Sequence, residues 1–142
     1  MRVATSIRRF CGRAKNARVS RSSSASRPAA LNDPRVHFAL NCLAAACPVL
    51  PRRPFIATAL DAQLEREARA FFARPQNLRI DATTRTVWVS ELMNFYPEDF
   101  VPRPAASLID YVNRYAPAVL PADFRVRFIA YDWTVANSRR PH

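Results

Sequence analysis

The clearest periodic segment of the chain, TALDAQLEREARAFFA, predicts a helix with one buried stripe. Apolar residues recur every three or four positions, and charged residues take the opposite side. The stripe consists of Leu60, Leu64, Ala68 and Phe71 or Phe72. Thr58 stands where it can cap the helix, with Asp61 in the first turn.

An alternating pattern precedes this helix. In RVHFALN, the apolar residues Val36, Phe38 and Leu40 alternate with polar ones, which predicts a strand over residues 35–41. A buried helix running through LAAAC is the competing interpretation. The connection at residues 47–57 contains three prolines, which prevent regular structure, and it is long enough to form a functional loop.

The pattern in the second half of the chain predicts a hairpin followed by helical segments and a strand. Two short strands are predicted at residues 78–81 and 86–89, joined by a polar turn. Ser90 then precedes a short helical turn in ELMNFY, and AASLIDYVNRYA has helical spacing. FRVRFIAYDW alternates again and predicts a half-buried strand. The fold class is therefore α/β (α+β), a small mixed sheet with two or three packed helices.

Charge divides the chain into two parts. Residues 1–30 hold eight basic residues and no acidic one, whereas residues 31–142 hold 14 basic and 11 acidic residues. The first part has few apolar residues, so we predict a disordered Arg/Ser-rich tail, with a mitochondrial transit peptide as an alternative. Residues 31–142 are predicted to form a single domain. Binding of nucleic acid is not expected, except through the basic tail.

Composition excludes several function classes. The single glycine, Gly12, lies in the tail, so the domain lacks the glycines of a Walker loop or a Rossmann fingerprint. We predict no cofactor. No run of 18 apolar residues occurs, and no convincing signal peptide is found, so a cytoplasmic location is the default expectation.

Four blocks of sequence occur in an order that resembles a known family. They are DPRVHFALNCLAAACPVL, LDAQLEREARAFF, VWVSELMNFYPEDF and FIAYDWTVAN, within residues 32–137. Together they are similar to the domain of unknown function 547, a family of bacteria and plants. The resemblance implies an α/β domain and brings no established reaction.

Two departures from the family accompany the resemblance. Family members carry helices before the first block, where this chain has the Arg/Ser tail, so the resemblance implies the C-terminal portion of an incomplete domain. The family also has a small residue such as Gly after the first cysteine of the block, where this chain has Leu43.

His37 and Cys42 are the first candidates for chemistry. A thiol enzyme needs an imidazole within hydrogen-bond reach of the sulfur. Five positions separate these residues, which places them on opposite faces of a strand and about 140° apart around a helix. A hydrogen-bonded histidine and a buried cysteine are therefore the simpler interpretation. Asp132, at the end of the last strand, is the candidate for a third group that orients His37.

Other polar groups have equally simple interpretations. Cys42 and Cys47 lack the further ligands of a zinc site, so no metal site is predicted. A disulfide between them is an alternative to the default of free thiols. Glu98 and Asp99 could serve acid–base chemistry, but such a pair more often caps a helix or forms a turn.

Two functional hypotheses follow. The first is a non-enzymatic interaction or scaffold domain with an unknown protein partner. The alternative is a cysteine-dependent hydrolase or acyl-transfer enzyme, with Cys42 as nucleophile, His37 as base and Asp132 as the orienting carboxylate.

Overall fold

The computed structural model describes residues 33–136, and the predicted tail over residues 1–30 lies outside the described residues. The described residues form a mixed α+β fold, which confirms the predicted class. Its helices and strands are α1 (Leu60–Phe72), β1 (Leu78–Asp81), β2 (Thr86–Ser90), α2 (Leu92–Phe95), α3 (Leu108–Asn113) and β3 (Arg125–Ile129). Short 3₁₀ helices are found at Pro34–Phe38, Ala57–Ala59 and Pro97–Asp99.

The sheet has the order β1-β2-β3 among the described residues. β1 and β2 form the predicted antiparallel hairpin, with Leu78 opposite Val89. β3 returns parallel to β2, with Val126 opposite Val87. The valines of the central strand are fully buried, whereas the arginines of β3 are exposed, as the alternation of that strand predicted.

The strand predicted over residues 35–41 is wrong, because this stretch begins with the 3₁₀ helix Pro34–Phe38. Asp33 caps the helix by accepting a 2.9 Å hydrogen bond from the backbone N–H of Arg35, and Pro34 occupies its first position. Proline is favoured there because its φ is already helical. Phe38 is buried at 1% exposure, whereas Leu40 is 62% exposed, so the alternating apolar residues do not share one buried face.

α1 lies where its periodicity predicted, and its stripe faces the core. Leu64, Ala68, Phe71 and Phe72 are buried. The predicted cap at Thr58 is wrong: the N-cap is Ala59, which has no side-chain hydrogen bond, and Thr58 lies inside the preceding 3₁₀ helix.

An ion-pair network joins α1 to the first 3₁₀ helix. The guanidinium of Arg35 lies 2.6 Å from a carboxylate oxygen of Asp33 and 2.6 Å from one of Asp61, and 3.6 Å from Glu65. The Arg35 side chain is only 16% exposed. This residue therefore ties the start of the described chain to the first two turns of α1.

An aromatic cluster forms the centre of the core. The ring of Phe38 lies 4.8 Å from that of Phe71, 4.9 Å from that of Phe72 and 6.0 Å from that of Phe100. Tyr111 of α3 completes the cluster, and burial raises the pKa of its hydroxyl far above the usual range. Phe38 thus anchors the first 3₁₀ helix in the core, in addition to the ion pairs of Arg35 with α1.

Candidate functional site

A disulfide joins Cys42 to Cys47, with 5.8 Å between the two Cα atoms. The default of free thiols is therefore wrong in this structure, and the alternative of a Cys42–Cys47 bridge is present. In this state the sulfur of Cys42 is not a thiolate. The bridge closes the short loop that immediately follows the first 3₁₀ helix and Leu40.

Hydrogen-bond donors converge on the Cys47 side of the bridge. Its sulfur accepts from the backbone N–H of Cys42 at 3.1 Å and from that of Ala44 at 3.2 Å. The hydroxyl of Tyr131 lies 3.3 Å from each of the two sulfurs. The ring of Tyr131 packs against Phe95 and Trp133, which fixes the position of the hydroxyl.

The backbone between the cysteines is held in an unusual conformation. Leu43 has φ of 62°, in the left-handed region that favours glycine, and its side chain is 67% exposed. Asn41 accepts a 2.9 Å hydrogen bond from the N–H of Leu43, and Ala44 pairs with Val135 in an isolated β-bridge. This positive φ explains why a small residue such as Gly suits this position in the family that the sequence resembles, where this chain has Leu43.

Replacing Leu43 by Gly is expected to raise the free energy of unfolding by about 0.5–1 kcal/mol. A left-handed φ costs an ordinary residue about 1–2 kcal/mol, and glycine removes this cost. Glycine also loses more backbone entropy on folding, which offsets part of the stabilisation. Urea denaturation at equilibrium measures the change. Leu40 is the matched control, because it is equally exposed and has no positive φ, so Leu40→Gly should destabilise the fold. Equal shifts for both variants would contradict the interpretation.

His37 has a carboxylate partner, but it is not the predicted one. Nε2 of His37 lies 2.7 Å from Oδ2 of Asp99. The imidazole also stacks on Tyr96, with 4.8 Å between ring centroids, and contacts the ring of Phe100. Asp99 ends the 3₁₀ helix that begins at Pro97. The carboxylate bonded to Nε2 of His37 is therefore Asp99, whereas the predicted orienting group was Asp132.

Asp132 instead organises the turn that follows β3. Its Oδ1 accepts hydrogen bonds from the N–H of Thr134 at 2.9 Å and from the hydroxyl of Thr134 at 2.7 Å. Its backbone carbonyl accepts a 3.2 Å bond from the N–H of Ala46. Through this backbone hydrogen bond, Asp132 helps to hold the disulfide loop against the segment that follows β3. The proposed Cys42–His37–Asp132 triad is not assembled, since each member has a different partner.

A groove of about 420 Å³ lies between the proline-rich segment 48–53 and α1. Phe38 and Phe71 contribute to its apolar lining, and Glu67 is the one carboxylate among its lining residues. Glu67 accepts a 2.9 Å hydrogen bond from Arg66. Four arginines line the groove: Arg52, Arg53, Arg66 and Arg74. The long connection predicted as a functional loop therefore forms one wall of a basic groove.

Within residues 33–136, no group of three or more His, Cys, Asp or Glu side chains is arranged to hold a metal ion. None of the helices in the same range combines the length and the apolar character needed to cross a bilayer.

Part of the chain matches a known family. The model of the family described as Protein of unknown function, DUF547, matches residues 4–72, a little less than half of the chain. The match begins in the Arg/Ser-rich segment, ends with α1 and includes the disulfide loop and the proline-rich wall of the groove. No curated protein and no solved structure matches the chain. Residues 4–72 are therefore similar to the DUF547 family, and this match includes the first two of the four sequence blocks that resemble it.

Proposed function

We propose that this domain is a non-enzymatic interaction module that binds an acidic segment of a partner protein in the groove beside α1. The observation that carries the proposal is the charge of the groove. Four arginines face one carboxylate, and Arg66 already pairs with that carboxylate. The remaining positive charge attracts Asp and Glu side chains, because complementary charge speeds association and fixes register.

The apolar lining adds a second requirement for the ligand. Phe38 and Phe71 close the base of the groove, and the exposed Leu50 and Ala70 lie along it, so an apolar side chain of the ligand can be buried against these two exposed residues. Buried aromatic or aliphatic anchors supply most of the binding energy in such contacts. The complementary ligand is therefore a peptide with one large apolar residue flanked by acidic ones.

The N-terminal segment of the same chain does not have this chemistry. Residues 1–30 carry eight basic residues and no acidic one, so they would meet the arginines of the groove with like charge. A partner with acidic residues is the better occupant. The expected occupant of the groove is therefore another protein and not residues 1–30 of the same chain.

The environments of the two predicted catalytic groups also favour an interaction module. Cys42 is bonded to Cys47, and His37 is paired with Asp99. The alternative, a cysteine-dependent hydrolase or acyl-transfer enzyme, needs Cys42 as a free thiolate beside an imidazole. Hydrolysis of a model thioester that is abolished by Cys42→Ser would favour the enzyme and contradict the module.

Reversing two charges at the groove is expected to weaken peptide binding at least about tenfold, because like charges at an interface are costly. The variant is Arg52→Glu with Arg53→Glu, both exposed in the proline-rich wall. Fluorescence anisotropy with a labelled peptide, one Phe flanked by Glu residues, measures the affinity. The wild-type affinity should also fall with added salt.

The control variant changes the net charge by the same amount, but at positions outside the groove. Arg103 and Arg127 are exposed and do not line the groove, so their replacement by Glu should leave the affinity nearly unchanged. Equal losses in both double variants would mean that net charge alone attracts the peptide. Equal binding of a peptide with Lys in place of Glu, or self-association of the protein through this face, would also overturn the proposal.

A further inference from the structure

We infer that the Cys42–Cys47 bridge is a thiol–disulfide exchange site, in which an external thiol attacks Cys42 and Cys47 leaves as the thiolate. The inference is independent of the groove and of the ligand proposed for it. It rests on the unequal surroundings of the two sulfurs. The co-reactant belongs to one chemical class, a thiol on a small molecule or on a cysteine-containing protein.

The donors around Cys47 are arranged to accept negative charge. Two backbone N–H groups, from Cys42 and Ala44, lie 3.1 and 3.2 Å from its sulfur, and the Tyr131 hydroxyl lies 3.3 Å away. Hydrogen bonds to an ionised acceptor are stronger than those to a neutral one. The same three donors therefore stabilise a Cys47 thiolate more than they stabilise the intact disulfide. A leaving sulfur that is stabilised as a thiolate departs faster.

Cys42 has a different neighbour set. The polar contact found for its sulfur among the described residues is the hydroxyl of Tyr131, which is the donor while Cys42 is in the disulfide, because that sulfur carries no hydrogen. Once the bridge is reduced, the Cys42 thiol can donate to the tyrosine oxygen while the tyrosine O–H donates to Cys47. This chain of hydrogen bonds assigns the proton to Cys42 and the negative charge to Cys47.

The exchange balances in two steps. The thiolate of the external thiol forms a bond to Sγ of Cys42, the Cys42–Cys47 bond breaks, and its electron pair leaves on Cys47. A second external thiolate then attacks the external sulfur of the mixed disulfide and releases Cys42, which takes up a proton. Two external thiols are oxidised to a disulfide and the protein disulfide is reduced to two thiols.

The loop lies at the surface, as this chemistry requires. Leu43, between the cysteines, is 67% exposed, and the cysteines themselves are only partly buried. The loop is also anchored on both sides, by the Ala44–Val135 bridge and by the bond from the N–H of Ala45 to the carbonyl of Thr134. The Tyr131 hydroxyl and the two backbone N–H groups are thus already positioned around the sulfur of Cys47 before the reaction begins.

Mapping the mixed disulfide tests the assignment of the two sulfurs. The full chain carrying Cys11→Ser is incubated with reduced glutathione at neutral pH without denaturant, quenched with acid and analysed by peptide mass spectrometry. We expect glutathione on Cys42. In the fully reduced protein at pH 7, iodoacetamide should alkylate Cys47 faster than Cys42. Glutathione found mainly on Cys47, or equal alkylation rates, would overturn the inference.

Removing one donor tests the stabilisation of the leaving sulfur. Tyr131→Phe keeps the ring and deletes the hydroxyl, so reduction by glutathione should slow about tenfold, the effect of one hydrogen bond to a charged group. Tyr111→Phe is the matched control, because this tyrosine packs in the aromatic core and has no bond to either sulfur. An unchanged rate in Tyr131→Phe would refute the role of the hydroxyl. If the wild-type bridge is reduced only as fast as the protein unfolds, it does not react with thiols in the folded state. The bridge would then be purely structural, and the inference would fail.

Discussion

Replacing Phe38 by Ala is expected to lower the free energy of unfolding by about 3–5 kcal/mol, the usual cost of removing a buried aromatic side chain. Phe38 is 1% exposed, and its ring meets the rings of Phe71, Phe72 and Phe100. The residue lies in a single-turn 3₁₀ helix that has little stability of its own. The loss therefore includes both the contacts of the ring and the anchoring of this segment.

Urea denaturation at equilibrium measures the effect of Phe38→Ala, and thermal unfolding should show a midpoint lowered by more than about 10 °C. Leu40→Ala is the control, because Leu40 is two positions away and 62% exposed. Its stability should stay within about 0.5 kcal/mol of the parent chain. A small loss for Phe38→Ala would mean that the first 3₁₀ helix does not contribute to the cooperative core.

The second large effect is expected at Arg35, where replacement by Ala should cost about 2–3 kcal/mol. Removing one partner of a buried ion pair costs about 3–5 kcal/mol, and partial exposure to solvent reduces this value. Asp33 is 22% exposed and would keep its charge without the guanidinium. Asp61 and Glu65 of α1 would lose the same partner.

Acid adds a check on the role of Arg35. Burial alone would raise the pKa of Asp33, but the hydrogen bonds and the charge of Arg35 outweigh it and hold that pKa below its usual value. A carboxyl with a lowered pKa in the folded state stabilises the fold above its unfolded pKa of about 3.9, and this contribution is lost as pH falls through the folded value. Arg35→Ala should therefore lose less stability than the parent chain as the pH falls below about 3.9, the unfolded pKa of an aspartate.

Arg66→Ala serves as the control for Arg35. Its side chain is 58% exposed and pairs with the adjacent Glu67, and surface pairs of this kind contribute about 0–1 kcal/mol. Equilibrium urea denaturation at neutral pH compares the two variants. Similar losses for both would mean that Arg35 acts as an ordinary surface cation.

Elements with a strong local pattern were predictable from the sequence. The stripe of α1 and the alternation of β3 each arise from neighbours within the same element, so the period alone indicates the structure. The hairpin of β1 and β2 has a polar turn between two short runs. The first 3₁₀ helix was not predictable in this way, because the alternation of Val36, Phe38 and Leu40 is compatible both with a strand and with a short helical turn.

The candidate site was less predictable because its contacts are distant in sequence. His37 meets Asp99, 62 positions away, and no spacing rule joins the two. Arg35 meets Asp61 across 26 positions in the same way. The disulfide was an open alternative, since sequence alone does not give the redox state of two nearby cysteines. The basic wall of the groove was detectable only as an unusually long proline-rich connection.

The distance along the chain between the disulfide loop and Tyr131 has a consequence for protein synthesis. Tyr131 follows Cys42 by 89 positions, and synthesis proceeds from the N-terminus. During translation, both cysteines leave the ribosome before the tyrosine and before Val135, the bridge partner of Ala44. A bond between the sulfurs that forms on the nascent chain therefore forms without the hydroxyl and the bridge that surround it in the finished domain.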